Sequence, residues 1–283
     1  MAWTDAQQRM LRAMGLRVWA PAPASTPAST PASTPAPAPA PEPEPSRTTV
    51  TNAVPASGLE VIANVSGDAR STHIATLDWV DLRGAVQGCT ACALSTGRTQ
   101  TVFGVGHLQA HWMVVGEAPG EQEDLSGEPF VGAAGQLLDR MLAALNLSRA
   151  NDGTAPPARR VYIANTLKCR PPRNRNPLAE ELAQCEPYLV RQIQLLRPRL
   201  ILAMGRFAVQ SLLRTDEPVG RLRGRVHRYQ GVPLVVTYHP AYLLRNLPDK
   251  AKAWEDLCLA ASVAEAAAAG DAAAGADERG AAA

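Results

Sequence analysis

Four cysteines constrain the fold of this 283-residue chain more than any other feature: Cys89-x2-Cys92, then Cys169, then Cys185 after fifteen intervening residues. A Cys-x2-Cys pair puts two thiolates on one tight turn. Two distant cysteines complete a tetrahedral set only if the fold carries them back to that turn. Four soft sulfur ligands suit zinc or an iron-sulfur cluster. Small buried hydrophobes are the alternative reading of scattered cysteines, but the settings argue against it. Cys89-Thr-Ala-Cys92 lies in a polar, glycine-flanked stretch, and Cys169 opens Cys169-Arg-Pro-Pro172, where no apolar periodicity asks for a buried thiol. Cys258, among Trp254, Leu257 and Leu259, reads as packing in a helix and not as a ligand.

Between and around these cysteines, apolar runs alternate with amphipathic stretches. Strands are predicted at His111–Val115, Arg160–Ala164, Arg199–Ala203 and Val232–Thr237. Helices are predicted over Gly135–Leu145, Leu178–Leu196, Arg206–Leu213 and Asp249–Ala261. Short, nearly continuous apolar strands separated by helices imply a parallel sheet covered on both faces. The expected architecture is a three-layer α/β/α sandwich around a short, mainly parallel four-stranded sheet. In such sheets ligands bind beyond the carboxyl ends of the strands. The residues to read are therefore Gly116-Glu117-Ala118-Pro119-Gly120, Asn165, Gly205 and His239-Pro240.

The ends of the chain read differently. From Ala20 to Ser46 lie ten of the 24 prolines, three Ala-Ser-Thr-Pro repeats and no aromatic residue, which predicts an extended tether. The expected organisation is a short amphipathic segment at residues 1–19, a disordered linker at 20–76, the folded domain at 77–262 and a disordered alanine-rich tail at 263–283. Met10, Leu11, Met14 and Leu16 fall at helical spacing within Trp3–Trp19, so a tethered helix could dock a protein partner, fold back weakly on the domain or do neither. No apolar run is long enough to span a bilayer and no secretory signal opens the chain. A cytoplasmic, monomeric protein is expected, with no membrane association, and thiolate ligands agree with a reducing compartment.

Net charge is only +2, yet Lys168–Arg228 holds 13 basic and 5 acidic residues, a local excess of eight positive charges. Arg191, Arg197 and Arg199 suit a solvated helical face. Arg170, Arg173 and Arg175, like Arg221, Arg223 and Arg225, sit in loops rich in Pro, Asn or Gly and suit a polyanion-facing surface. Two further segments carry chemistry. Phe130 stands among glycines in Gly127–Gly135, placed either to stack on a planar ligand or to fill a core. His239-Pro-Ala-Tyr242-Leu243-Leu244-Arg245 offers apolar side chains beside a cation, which suits a wedge entering a nucleic-acid stack or the start of a core helix.

Together, Gly116-Glu-Ala-Pro-Gly120, Gly127–Gly135, Cys169-Arg-Pro-Pro-Arg-Asn-Arg-Asn-Pro177, His239–Arg245 and the four cysteines resemble the family 4, iron-sulfur uracil-DNA glycosylases over roughly Leu82–Leu259. The resemblance implies a 4Fe-4S cluster on Cys89, Cys92, Cys169 and Cys185, and hydrolysis of the N-glycosidic bond of a deoxyuridine flipped out of DNA. It implies that Phe130 stacks on uracil, Asn165 reads its Watson-Crick edge and His239 donates to O2 as charge builds on the leaving base. Gly116 and Ala118 line the pocket, and Glu117 or a nearby polar group is expected to position the water. Glu123 is the expected barrier to the 5-methyl of thymine. DNA contacts are expected from Arg170, Arg173, Arg175, Tyr242, Leu243, Leu244 and Arg245. Ala118 falls where better-known relatives carry a water-activating aspartate, a lack that family 4 shares. The alternative is an iron-sulfur protein that binds or traps DNA without excision. Trapping through a histidine is disfavoured because Arg170–Pro177 contains none.

Overall fold

A computed structural model describes residues 65–151 and 155–280. The segment 1–19 and the proline-rich stretch that follows it lie outside those residues. One six-stranded sheet organises the domain, in the order β1-β3-β2-β4-β6-β5. The strands are β1 (Val105–Gly106), β2 (Trp112–Gly116), β3 (Val161–Asn165), β4 (Leu200–Met204), β5 (Val226–Tyr229) and β6 (Val232–Thr237). The four predicted strands form its parallel centre, β3-β2-β4-β6. Two antiparallel edge strands correct the expected count of four. β1 pairs with β3, and β5 pairs with β6. Both are short, and β1 contains a glycine required by its pairing: a Cβ on Gly106 would lie 2.1 Å from the Val161 carbonyl oxygen.

Period-two alternation divides the strands between two cores. Val114, Ile163, Leu202 and Val235 face one layer, with helix α4 (Ala133–Ala144) and the last helix, α9 (Asp249–Gly280). Val115, Ala164, Ala203 and Val236 face the other, with α5 (Ala179–Leu196) and α6 (Arg206–Leu213). The sandwich is thus three-layered, as the apolar runs imply. Its remaining helices are α1 (Val65–Thr76), α2 (Trp79–Gln87), α3 (Glu121–Ser126), α7 (Val219–Leu222) and α8 (Pro240–Arg245).

Three boundaries differ from the sequence expectation. Val65–Thr76 is helix α1, inside the span read as linker, and its Ile74 packs with Leu82 and Val86 of α2 and with Tyr188. The helix α9 continues to Gly280, past the expected domain end at 262. The segment after His239 is helix α8, with its Leu243 wholly buried beside Trp254 and Leu257 in the core. Leu243 is therefore a packing residue, which corrects its assignment as a DNA contact. Pro240 at the first helical position, with its φ already set, is the local reason the helix forms. No helix among the described residues is long and apolar enough to cross a membrane.

Candidate active site

The strand order reverses at β2, whose neighbours β3 and β4 are reached by crossovers in opposite directions. The crevice beyond the strand ends at such a point is where α/β sheets bind ligands. Gly116, the last residue of β2, lies in register with Asn165, the last of β3. A cavity of about 180 Å³ opens there, lined by Glu117, Ala118, Glu123, Phe130, Asn165 and His239 and by parts of the Cys169–Pro177 loop.

Its wall is tightly fitted. A Cβ on Gly116 would stand 2.4 Å from Asn165 Oδ1 and 2.6 Å from Phe130 Cζ, so only glycine lets both side chains close over the strand end. Phe130 is buried with φ 57°, a left-handed conformation costly for an aromatic residue and stable only where its surroundings fix it. They do so from three sides. Arg149 donates to the carbonyls of Pro129 and Phe130, both at 2.8 Å, while its fork grips Asp139 at 2.7 Å. Glu123 accepts from the N–H groups of Val131 and Gly132 on one oxygen and of Gly120 on the other. Gly135 leaves room for the Phe130 carbonyl, which a Cβ would meet at 1.7 Å. Glu123 thus lines the pocket with a carboxylate held by backbone donors. Arg149 is outside every motif named above, and no local pattern in the sequence marks it.

Polar groups converge on the same space. Asn165 is 2% exposed, and its Oδ1 has no hydrogen-bond partner. His239 caps α8: its Nδ1 accepts from the Ala241 N–H at 3.2 Å, which leaves the proton of a neutral ring on Nε2. Burial pushes the His239 pKa down to about 4, helped by Arg245 and opposed by Glu123, so the imidazole is neutral at pH 7. Burial also raises the Glu117 carboxyl, with Arg206 acting against it.

The cysteine set is brought together as the spacing requires. Cys89, Cys92, Cys169 and Cys185, all free thiols, line one largely apolar cavity with Leu94, Leu167 and Tyr188. Donors surround the sulfurs: Arg98 reaches Cys169 Sγ at 3.1 Å, the Lys168 N–H reaches Cys185 Sγ at 3.2 Å, and Arg70 of α1 reaches Cys89 Sγ at 3.7 Å. N–H groups aimed at sulfur are what coordinated thiolates require. Among the described residues, no three His, Cys, Asp or Glu side chains gather closely enough to hold a single ion. Cys258 packs against the core instead.

The cationic residues divide. Arg175 is joined by two hydrogen bonds to buried Glu181, and Arg223 pairs with buried Asp256 and with Glu255. Arg170 bonds Asn174 and lies 3.7 Å from Glu121. Arg173, in a left-handed turn, and Arg245 are exposed, as is Leu244, while the Tyr242 hydroxyl donates to Asp249 at 2.6 Å. Lys168 lines the cysteine cavity, not the Asn165 pocket, and its ammonium donates to two buried acceptors.

The sequence profile of the Uracil DNA glycosylase superfamily matches residues 103–258. A type-4 uracil-DNA glycosylase of Archaeoglobus fulgidus is 42% identical over 172 residues, 58% of this chain and 82% of the relative. Another, from Pyrobaculum aerophilum, is 39% identical over 65% of this chain and 93% of the relative, and a third, from Saccharolobus solfataricus, is 41% identical over 60% and 79%. With that identity across 79–93% of those proteins, on this fold, the chain belongs to the type-4 uracil-DNA glycosylases of the uracil DNA glycosylase superfamily.

Proposed function

We propose that this protein removes uracil from DNA by hydrolysing its N-glycosidic bond, leaving an abasic site. The observation that carries the reading is Asn165, whose buried Oδ1 has no hydrogen-bond partner, lining one cavity together with a neutral histidine. A buried acceptor left unpaired costs about 1–3 kcal/mol. The uracil N3–H satisfies it, and the amide Nδ2 can donate to O4. Cytosine offers an acceptor at N3 and a donor at N4, the reverse pattern, and would leave buried groups unpaired.

Phe130 supplies an aromatic face for the flipped base. His239, neutral with its proton on Nε2, donates to O2 as negative charge develops on the departing uracil, electrostatic stabilisation of the oxyanion type. Glu117, partly buried at the pocket wall, positions water against the sugar. Gly116 lets Asn165 and Phe130 close over the strand end, Ala118 lines the cavity, and Glu123, fixed by three backbone donors, blocks the space of a 5-methyl group. Arg170, Arg173, Arg175, Tyr242, Leu244 and Arg245 are the DNA-facing set, with Arg175 acting mainly to brace its loop through Glu181.

Cys89, Cys92, Cys169 and Cys185 would hold a 4Fe-4S cluster. What supports a shared multi-atom centre is the donor set: four sulfurs lining one site, with N–H groups of Arg98, Lys168 and Arg70 directed at three of them, and no three described His, Cys, Asp or Glu side chains close enough to meet on a single ion. When bound, it supplies a covalent staple between the Cys89 turn and the Cys169–Cys185 segment that forms part of the pocket wall.

The test is a uracil-containing oligonucleotide incubated with the purified protein and then with alkali. Strand scission is expected with wild type and strong loss with His239→Ala. Intact strands after wild-type treatment would reject the reading, and iron and sulfide analysis tests the cluster independently.

A further inference from the structure

Lys168 is 1% exposed, a buried cation that no step above uses. Burying an ammonium is unfavourable unless its N–H groups find acceptors. Two are present: Nζ donates to the backbone carbonyl of Asn165 at 2.8 Å and to Gln192 Oε1 at 2.7 Å. Gln192, itself wholly buried in α5, is fixed in turn by donating from Nε2 to the Phe103 carbonyl at 2.9 Å and to the Tyr162 hydroxyl at 3.3 Å. The main chain of Lys168 is held equally firmly. Its N–H donates to Cys185 Sγ, its carbonyl accepts from Val102 at 2.8 Å, and Cys169 follows it directly. One residue therefore joins the cysteine cavity to the peptide group of Asn165.

We propose that Lys168 is a positioning residue for base recognition: its ammonium ties the Asn165 carbonyl to Gln192, so that the Asn165 amide is held at a fixed height over the strand end. The assignment depends on the uracil-reading role proposed for Asn165. A lysine suits this task because its three N–H donors can join a main-chain and a side-chain acceptor at once. Its placement beside Cys169 also gives the cysteine-held segment a direct mechanical path to the pocket.

The experiment uses the full, iron-loaded chain and measures single-turnover excision of uracil from an oligonucleotide for wild type, Lys168→Met, Asn165→Ala and the double variant. Lys168→Met is expected to lower the maximal rate about 10- to 100-fold, as a misplaced contact does. The enzyme concentration for half-maximal rate should stay nearly unchanged, and iron content and visible absorption should match wild type. In the Asn165→Ala background the same substitution should cost nothing further, because both changes remove one function. An equal fold-loss in both backgrounds, or a wild-type rate for Lys168→Met, would overturn the proposal. Should Lys168→Met fail to fold or lose iron, Gln192→Met removes the ammonium's other acceptor and leaves the neighbour of Cys169 in place. It carries the same expectation, a lowered rate absent in the Asn165→Ala background, and a wild-type rate overturns the proposal. A wild-type rate for Asn165→Ala itself would instead defeat the reading of the base by that residue.

Discussion

The Phe130 ring stacks on the His239 imidazole, with centroids 5.3 Å apart and planes inclined by 27°. The two residues come from opposite parts of the chain, one after β2 and one after β6. Their contact fixes the aromatic wall of the pocket relative to its hydrogen-bond donor. Stacking of a base on an aromatic side chain is worth about 1–3 kcal/mol. Phe130→Ala is accordingly expected to reduce kcat/KM for uracil release by about 10- to 100-fold, measured under single-turnover conditions. An unchanged value would remove Phe130 from the site.

Gly116→Ala tests the fit of the strand end. The added methyl would overlap Asn165 Oδ1 and the Phe130 ring, and Gly116 sits in the sheet beside Asn165, where the backbone cannot yield easily. A loss of about 100-fold in kcat/KM is expected with the fold retained by circular dichroism. Wild-type kinetics would mean that the two side chains have room to move.

The Arg149 clamp on the Phe130 turn makes a stability prediction. Arg149→Ala leaves two carbonyls without their donor and releases a left-handed aromatic residue, for an expected loss of about 2 kcal/mol in urea unfolding. Arg149→Lys should not restore it, since an ammonium cannot grip Asp139 with a two-pronged fork and reach both carbonyls. Full recovery with lysine would contradict this account.

Both the sheet and the pocket edge are legible in the sequence because they rest on strong periodicity. The four central strands and their helices follow from apolar runs whose alternate residues fill two cores. Phe130, Asn165 and His239 follow from position just past those runs and from the family resemblance. What the chain hides is set by tertiary contact. Helix α1 carries few apolar residues and gains its order from Ile74 against α2 and Tyr188. The strands β1 and β5 are too short and polar to announce themselves. Leu243 and Leu244 are neighbours of the same type, and only packing tells that the first is core and the second exposed. Arg149 and Lys168 have no local signature, because their work is to bond carbonyls of residues elsewhere in the fold.

Protonation of His239 makes a pH prediction whose sign is fixed. Its pKa falls from 6.5 to about 4 on folding, so between those values the unfolded chain takes up a proton that the folded chain does not. Stability from the neutral ring is complete above pH 6.5 and is lost as pH falls toward 4, by at most about 3 kcal/mol. Urea unfolding of wild type and His239→Gln at pH 7 and pH 4.5 isolates it: wild type should lose about 2 kcal/mol more than the variant. Equal losses would show that the ring is not held neutral.

The most direct test of recognition by complementary polar edges is the single-turnover excision rate of uracil and of cytosine, each placed at the same position of one oligonucleotide, with wild type and Asn165→Ala. The account predicts that wild type releases uracil and leaves cytosine in place, and that Asn165→Ala slows uracil release by about 100-fold or more. Uracil release by Asn165→Ala at the wild-type rate would contradict it.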